Sequence, residues 1–137
     1  MPALRNITWL AILTMTVANL VALAQTNLKR LLAFSSIAHA GYLLIAVVCR
    51  PDDGVRAILF YLTSYAFMTV GAFAVLAAVG RGNTESERGY TLREWSGLGW
   101  RRPVLGLAML FFLFSLAGIP PTGGFLGKYV IFQSAVH

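Results

Sequence analysis

Three ionisable side chains stand where a charge is costly and where proton chemistry is possible. Lys128 lies within the stretch "LAGIPPTGGFLGKY" (Leu116 to Tyr129), four residues after Gly124. His39 sits inside "QTNLKRLLAFSSIAHAGYLL" (Gln25 to Leu44), twelve residues past Asn27. On a helix that is ~18 Å along the axis, near the middle of a bilayer. Lys29 opens the same segment. Lys29, Ser36 and His39 fall roughly on one helical face, with Ser35 and Tyr42 flanking it. A histidine titrates near neutral pH and relays protons through either ring nitrogen. A lysine held inside a membrane bundle can gain and lose a proton. Each residue also has a plainer role. Lys128 can snorkel to an interface. His39 can be a neutral histidine bonding a neighbouring helix through Ser35 or Ser36. Lys29 can be an ordinary basic anchor at a span end. Spacing alone leaves these alternatives open. Asn19, Thr63, Ser64 and Thr69 are weaker signals, since such groups usually bond a neighbouring helix, and Gly71 points to close packing.

The elements that must position these groups are apolar. Spans are expected at about residues 7–24, 28–48 and 57–79, each near the ~20 residues a membrane helix needs. A fourth apolar segment covers 104–137. Its 34 residues make ~50 Å as one helix, against a hydrocarbon core of ~30 Å. Pro120 and Pro121 lack amide hydrogens, and Gly118, Gly123 and Gly124 weaken the helix around them. The segment is therefore expected to be two half-helices joined by an unwound linker, Gly118 to Gly124. Such a break is tolerated at membrane depth only where protein covers it or where it lines a polar cavity. The expected fold is an all-α polytopic transmembrane bundle, one membrane domain over 1–137. A lysine at a span centre costs ~2.5–3.5 kcal/mol of insertion, which the apolar run before the break outweighs. Insertion thus tolerates Lys128 without requiring a function of it.

Composition narrows the class. The chain is 58% hydrophobic and 12% charged, about half the charge of a soluble domain. Lipid is its expected solvent. The net charge of +6 forms no stripe or aromatic-interleaved patch, which excludes nucleic acid as a partner. A single cysteine, Cys49, excludes an internal disulfide or a cysteine metal cluster. The N-terminal run ending "ALAQ" imitates a signal peptide, but its length and the spans that follow argue for retention. If the spans alternate, Lys29, Arg30, Arg81, Arg88, Arg93, Arg101 and Arg102 share one side, against Arg5, Arg50 and Arg56. The positive-inside rule then puts loops 25–30 and 80–103 in the cytoplasm. The longer loop, with Tyr90, Leu92, Trp95, Leu98 and Trp100 among its charges, is expected to lie along the membrane surface. Residues 50–54, "RPDDG", are expected to form a tight outer turn.

Together, "QTNLKRLLAFSSIAHAGYLL", "GLGWRRPVLGLAM" and "LAGIPPTGGFLGKY" resemble the antiporter-like proton-translocating subunits of respiratory complex I, over nearly the whole chain. The resemblance implies a fragment: four helices of the second of two inverted units, each unit holding a broken helix. It implies that Lys128 is the lysine of the broken helix serving the outward half-channel. His39 falls at a polar position of the central hydrophilic axis, and Lys29 at the cytoplasmic entry. It further implies a bacterial inner (plasma) membrane location, partnership with other membrane-arm subunits and lipid, and proton transport coupled to quinone reduction. No cofactor is expected in this chain, because it carries no flavin, iron–sulfur or nucleotide motif; NADH, FMN, iron–sulfur clusters and quinone belong with other subunits. The alternatives are a subunit of a cation/proton antiporter complex of the same fold, or a non-pumping membrane scaffold in which the break is a packing device. A scaffold is expected to accept Lys128→Met.

Overall fold

The computed structural model describes residues 2–48, 51–80 and 90–136. Cys49, Arg50, Arg81 and Arg88 lie outside them. The described residues form seven helices: α1 Pro2–Leu23, α2 Leu28–Val48, α3 Pro51–Gly80, α4 Leu92–Trp95, α5 Leu98–Arg101, α6 Pro103–Ala117 and α7 Gly123–Val136. Three are long and apolar enough to cross a membrane: α1, α2 and the Gly54–Gly80 part of α3.

The ends of the spans show where apolar patterning misplaces a boundary. α1 starts at Pro2, ahead of residue 7, because Arg5 and Asn6 continue the helix beyond its apolar stretch. α3 starts at Pro51, so 51–54 are its first turn and not the tight turn expected there. Proline suits that position, since a first-turn amide hydrogen has no helical partner anyway. At 30 residues, α3 is ~45 Å long and exceeds the hydrocarbon thickness.

α3 is the central element. One core cluster joins its lower half to α2 and α6 through Leu28, Leu32, Met68, Ala72, Val75, Leu76, Met109 and Leu116. A second joins α3 to α2 and α7 through Ala46, Ala57, Tyr61 and Ile131. Gly71 admits the Phe112 ring from α6 against the α3 backbone, which is the packing role its neighbours suggested. α1 packs on α2, burying only Ala11 and Ala18, seven residues apart on one face. Its remaining face exposes Trp9, Leu13, Leu20 and Leu23. That apolar surface suits lipid or further protein, not water.

Segment 24–27 does two jobs. The Asn27 side-chain oxygen accepts from the Lys29 and Arg30 amides at 2.9 and 3.3 Å, capping α2. Asn27 also bridges Thr91, and the Leu92 amide donates to the Thr26 carbonyl at 2.9 Å. The surface segment is thereby pinned to the start of α2. That segment is two single-turn helices, α4 and α5, turned at Gly97 with φ 77°. Trp100 is 93% exposed on it.

Candidate functional site

The break between α6 and α7 is a helix end whose backbone groups find partners outside the helical pattern. α6 ends at Ala117, and Gly118 adopts the left-handed conformation, φ 84°, which glycine enters without Cβ strain. The Gly118 amide donates to the Phe114 and Ser115 carbonyls, and the Ile119 amide donates to Phe114, each at 3.1 Å. This is a Schellman closure. It satisfies two of the four terminal carbonyls and leaves Leu116 and Ala117. Lys128 Nζ donates to both, at 3.1 Å each. An ammonium at a helix C-terminus is also favoured by the helix dipole. Lys128 is therefore turned back onto the break and does not run along α7 to an interface.

The linker is Gly118–Thr122, shorter than expected, with a cis Pro120–Pro121 bond. Gly123 and Gly124 fall in the first turn of α7, where their poor helix propensity costs little. Gly124 has a different purpose. A Cβ there would run into the Ser115 carbonyl and lie 3.2 Å from Met68 Sδ. Its amide donates to Ser115 Oγ at 3.3 Å, and that buried hydroxyl donates to Met68 Sδ at 2.7 Å. Gly127, one turn on, lets Tyr61 approach to 2.9 Å of where a Cβ would sit. Gly124, Gly127 and Ile131 thus form the face of α7 that lies on α3 and the end of α6, with Lys128 beside it.

His39 is 5% exposed. Its Nδ1 is hydrogen-bonded to the Tyr61 hydroxyl of α3, and the imidazole tautomer sets which group donates. Ser35 and Ser36 are not its partners, contrary to one alternative. Their hydroxyls donate to the Leu32 and Ala33 carbonyls of their own helix at 2.7 and 2.6 Å. Three tyrosines surround the imidazole, with ring centroids 5.9 Å (Tyr42), 5.9 Å (Tyr61) and 4.8 Å (Tyr65) away. Tyr42 also links to the break, since Lys128 Nζ lies 5.1 Å from its ring centroid.

Lys128 and His39 line one cavity of about 350 Å3, with Asn19, Ser35, Tyr42, Leu116 and others. That is room for several water molecules. Lys29 does not reach this cavity. It is exposed, its Nζ is 5.6 Å from the Tyr90 ring centroid, and it lines a separate pocket with Asn27, Arg30, Ala33 and Tyr90. Of the weaker signals, Thr63 donates to its own helix at Leu59. Thr69 Oγ1 is buried without a partner among the described residues, so it does not bond a neighbour. The sequence reading missed Tyr61, Tyr65 and Ser115. Tyr61, Tyr65, Met68 and Ala72 at i, i+4, i+7 and i+11 mark one face of α3, which was a usable signal.

Comparison with known proteins places this geometry in a family. The family described as NADH:quinone oxidoreductase/Mrp antiporter, transmembrane, matches residues 3–137. NADH-quinone oxidoreductase subunit N of Trichlorobacter lovleyi is 53% identical over 128 residues, covering 93% of this chain and 26% of that protein. Subunit N of Desulfovibrio desulfuricans is 50% identical over 132 residues, covering 92% and 26%. A chain of respiratory complex I from Thermus thermophilus superposes with a TM-score of 0.80 at 41% identity, covering 96% of this chain and 29% of that one. The chain spans about a quarter of the length of the curated relatives it matches.

Proposed function

The chain belongs to the NADH:quinone oxidoreductase/Mrp antiporter transmembrane family, and from this premise we propose that it supplies part of a proton path in the membrane arm of an NADH-quinone oxidoreductase. The observation that carries the proposal is that Lys128, beside the helix break, and His39, on another helix, line one cavity. Water in that cavity bridges the ammonium to the imidazole, and the Tyr61 hydroxyl holds the imidazole in place. The two α6 carbonyls hold the Lys128 ammonium. A proton leaving it loosens the break's cap, which ties charge movement to the conformation of the linker. Lys29 serves the cytoplasmic approach to α2 from outside this cavity. The subunit works with other membrane-arm subunits, which hold the electron carriers, in the bacterial inner membrane with loops 25–30 and 80–103 cytoplasmic. The relatives named as subunit N favour this assembly over a separate cation/proton antiporter.

The test is made in the complete subunit within its complex. Lys128→Ala should abolish most proton pumping and the coupled quinone reductase activity. Lys128→Arg should also impair it, because arginine keeps its proton. His39→Ala should do less, because water can replace an imidazole in a relay. Full pumping by assembled Lys128→Ala defeats the proposal. A scaffold role draws some support from the capping of α6 by Lys128, and Lys128→Arg separates it, since an arginine can still cap.

A further inference from the structure

A second polar cavity lies away from the break, between the end of α3 and the short helices α4 and α5. It has a volume of about 450 Å3 and is lined by Val79 at the end of α3, by Arg93, Glu94 and Trp95 of α4, and by Leu98, Arg101 and Arg102 around α5. Three arginines and one glutamate are among the residues lining it. Among the described residues, no ion pair joins Arg93, Arg101 or Arg102 to Glu94. Three like charges gathered on two single-turn helices repel one another, so the packing of this segment needs another reason. The Asn27–Thr91 bridge and the Leu92 amide bond to Thr26 hold the segment against α2, and the close approach of Gly99 to Gly106 holds it against α6. The arginines are thus presented by a fixed frame.

Next to these arginines in the chain stand exposed apolar side chains. Trp100 is 93% exposed, Val104 80% and Leu92 43%. Tryptophan at such a position sits at headgroup depth. Arginines lining a cavity, with exposed tryptophan and aliphatic side chains as chain neighbours, are the chemistry that takes a phosphate with acyl chains attached. Guanidinium forks bind phosphate oxygens in pairs, and basic pockets at the ends of membrane helices hold anionic headgroups.

We propose that this cavity binds the phosphodiester headgroup of an anionic phospholipid, with the acyl chains lying along the apolar flank near Trp100 and Val104. Such a lipid neutralises the arginines and fastens the surface segment to the membrane. The inference does not rest on the proton-path proposal, because it uses none of the same residues.

The test uses the complete subunit in its complex, in nanodiscs of phosphatidylcholine holding one-fifth phosphatidylglycerol. Spin-labelled phosphatidylglycerol and spin-labelled phosphatidylcholine are titrated in turn, and the immobilised fraction is compared for the native complex and for Arg93→Gln, Arg101→Gln and Arg102→Gln. The native complex should hold more phosphatidylglycerol than each variant does. Each single substitution should lower the preference at the lost site up to about fivefold, and the phosphatidylcholine signal should not change. The charge-keeping variants Arg101→Lys and Arg102→Lys should lose less of the preference than the glutamine variants, because they keep the charge but not the paired bonds. Inorganic phosphate at millimolar concentration should not displace the lipid. If it does so completely, the site takes free phosphate and the lipid assignment is overturned. Equal phosphatidylglycerol retention by the native complex and all three glutamine variants also overturns it. Should a variant fail to assemble, the remaining single variants carry the same comparison.

Discussion

Lys128→Met and Lys128→Arg together test what holds the helix break closed. Lysine supplies two bonds, to Leu116 O and Ala117 O at 3.1 Å each. A hydrogen bond from a charged donor contributes ~1.5–3 kcal/mol when sheltered. One of these bonds is only partly buried and the other is exposed, so the pair is worth ~2–3 kcal/mol in place of ~3–6. Methionine fills similar space and donates nothing, leaving both carbonyls to water or to none. The local opening equilibrium of the break should then rise about 30- to 150-fold, since each ~1.4 kcal/mol is a factor of ten. Hydrogen–deuterium exchange at the amides of Gly118, Ile119, Thr122 and Phe125 reads this directly, because all four are bonded in the closed break. Arginine offers five donors and should keep most of the protection. It should nevertheless fail in proton transport. Native protection in Lys128→Met refutes the capping argument, and native transport in an assembled Lys128→Arg refutes the proton role. On the capping argument a scaffold too would be loosened by Lys128→Met, so the arginine variant separates the two roles more sharply than methionine does.

Three further outcomes follow from the packing. Gly124→Ala should destabilise the subunit by ~3 kcal/mol, the upper range for overpacking, because the obstructing atom is the Ser115 carbonyl and not a flexible side chain; thermal unfolding in detergent checks this, and an unchanged midpoint contradicts it. Tyr61→Phe leaves His39 Nδ1 without its partner in a site where both residues are buried, and should cost ~1–3 kcal/mol; it should also lower proton transport as His39→Ala does, and a loss of stability with unchanged transport would separate the two roles. Asn27→Ala removes the α2 cap and should cost ~1 kcal/mol, while Lys29→Met should leave the start of α2 intact; exchange at the amides of Lys29, Arg30 and Leu31 distinguishes them.

The break shows how far local chemistry reaches. Two prolines and three glycines within an apolar segment too long for one span require an interruption, because the missing amide hydrogens and the strain are properties of the residues themselves. The three long spans are legible for the same kind of reason: a bilayer demands ~20 apolar residues whatever surrounds them. Their ends are less so. Arg5 extends α1, and Pro51 begins α3, because a helix continues past the apolar run until its backbone bonding fails. Asn27 is a cap by its residue type, and its side-chain oxygen accepts from the Lys29 and Arg30 amides.

What only the tertiary structure decided is which groups meet. His39 and Tyr61 lie 22 positions apart in the chain, and Lys128 meets Leu116 and Ala117 across a linker whose path no periodicity encodes. Helical spacing places a side chain on a face, but the partner of that face depends on how α2, α3, α6 and α7 pack. Ser35 and Ser36 share the neighbourhood of His39 in sequence, yet their hydroxyls satisfy their own helix. Tyr61 reaches the imidazole because Gly127 brings α7 close to α3 and the core clusters fix α3 against α2. Lys29, on the same helical face as His39, stays outside the cavity because it lies ~15 Å away along the α2 axis and lines a separate pocket. Composition and residue type determine that the chain lives in a membrane and breaks at Gly118. The helix packing determines that a lysine and a histidine line one cavity, since that depends on distances between elements which no single element contains.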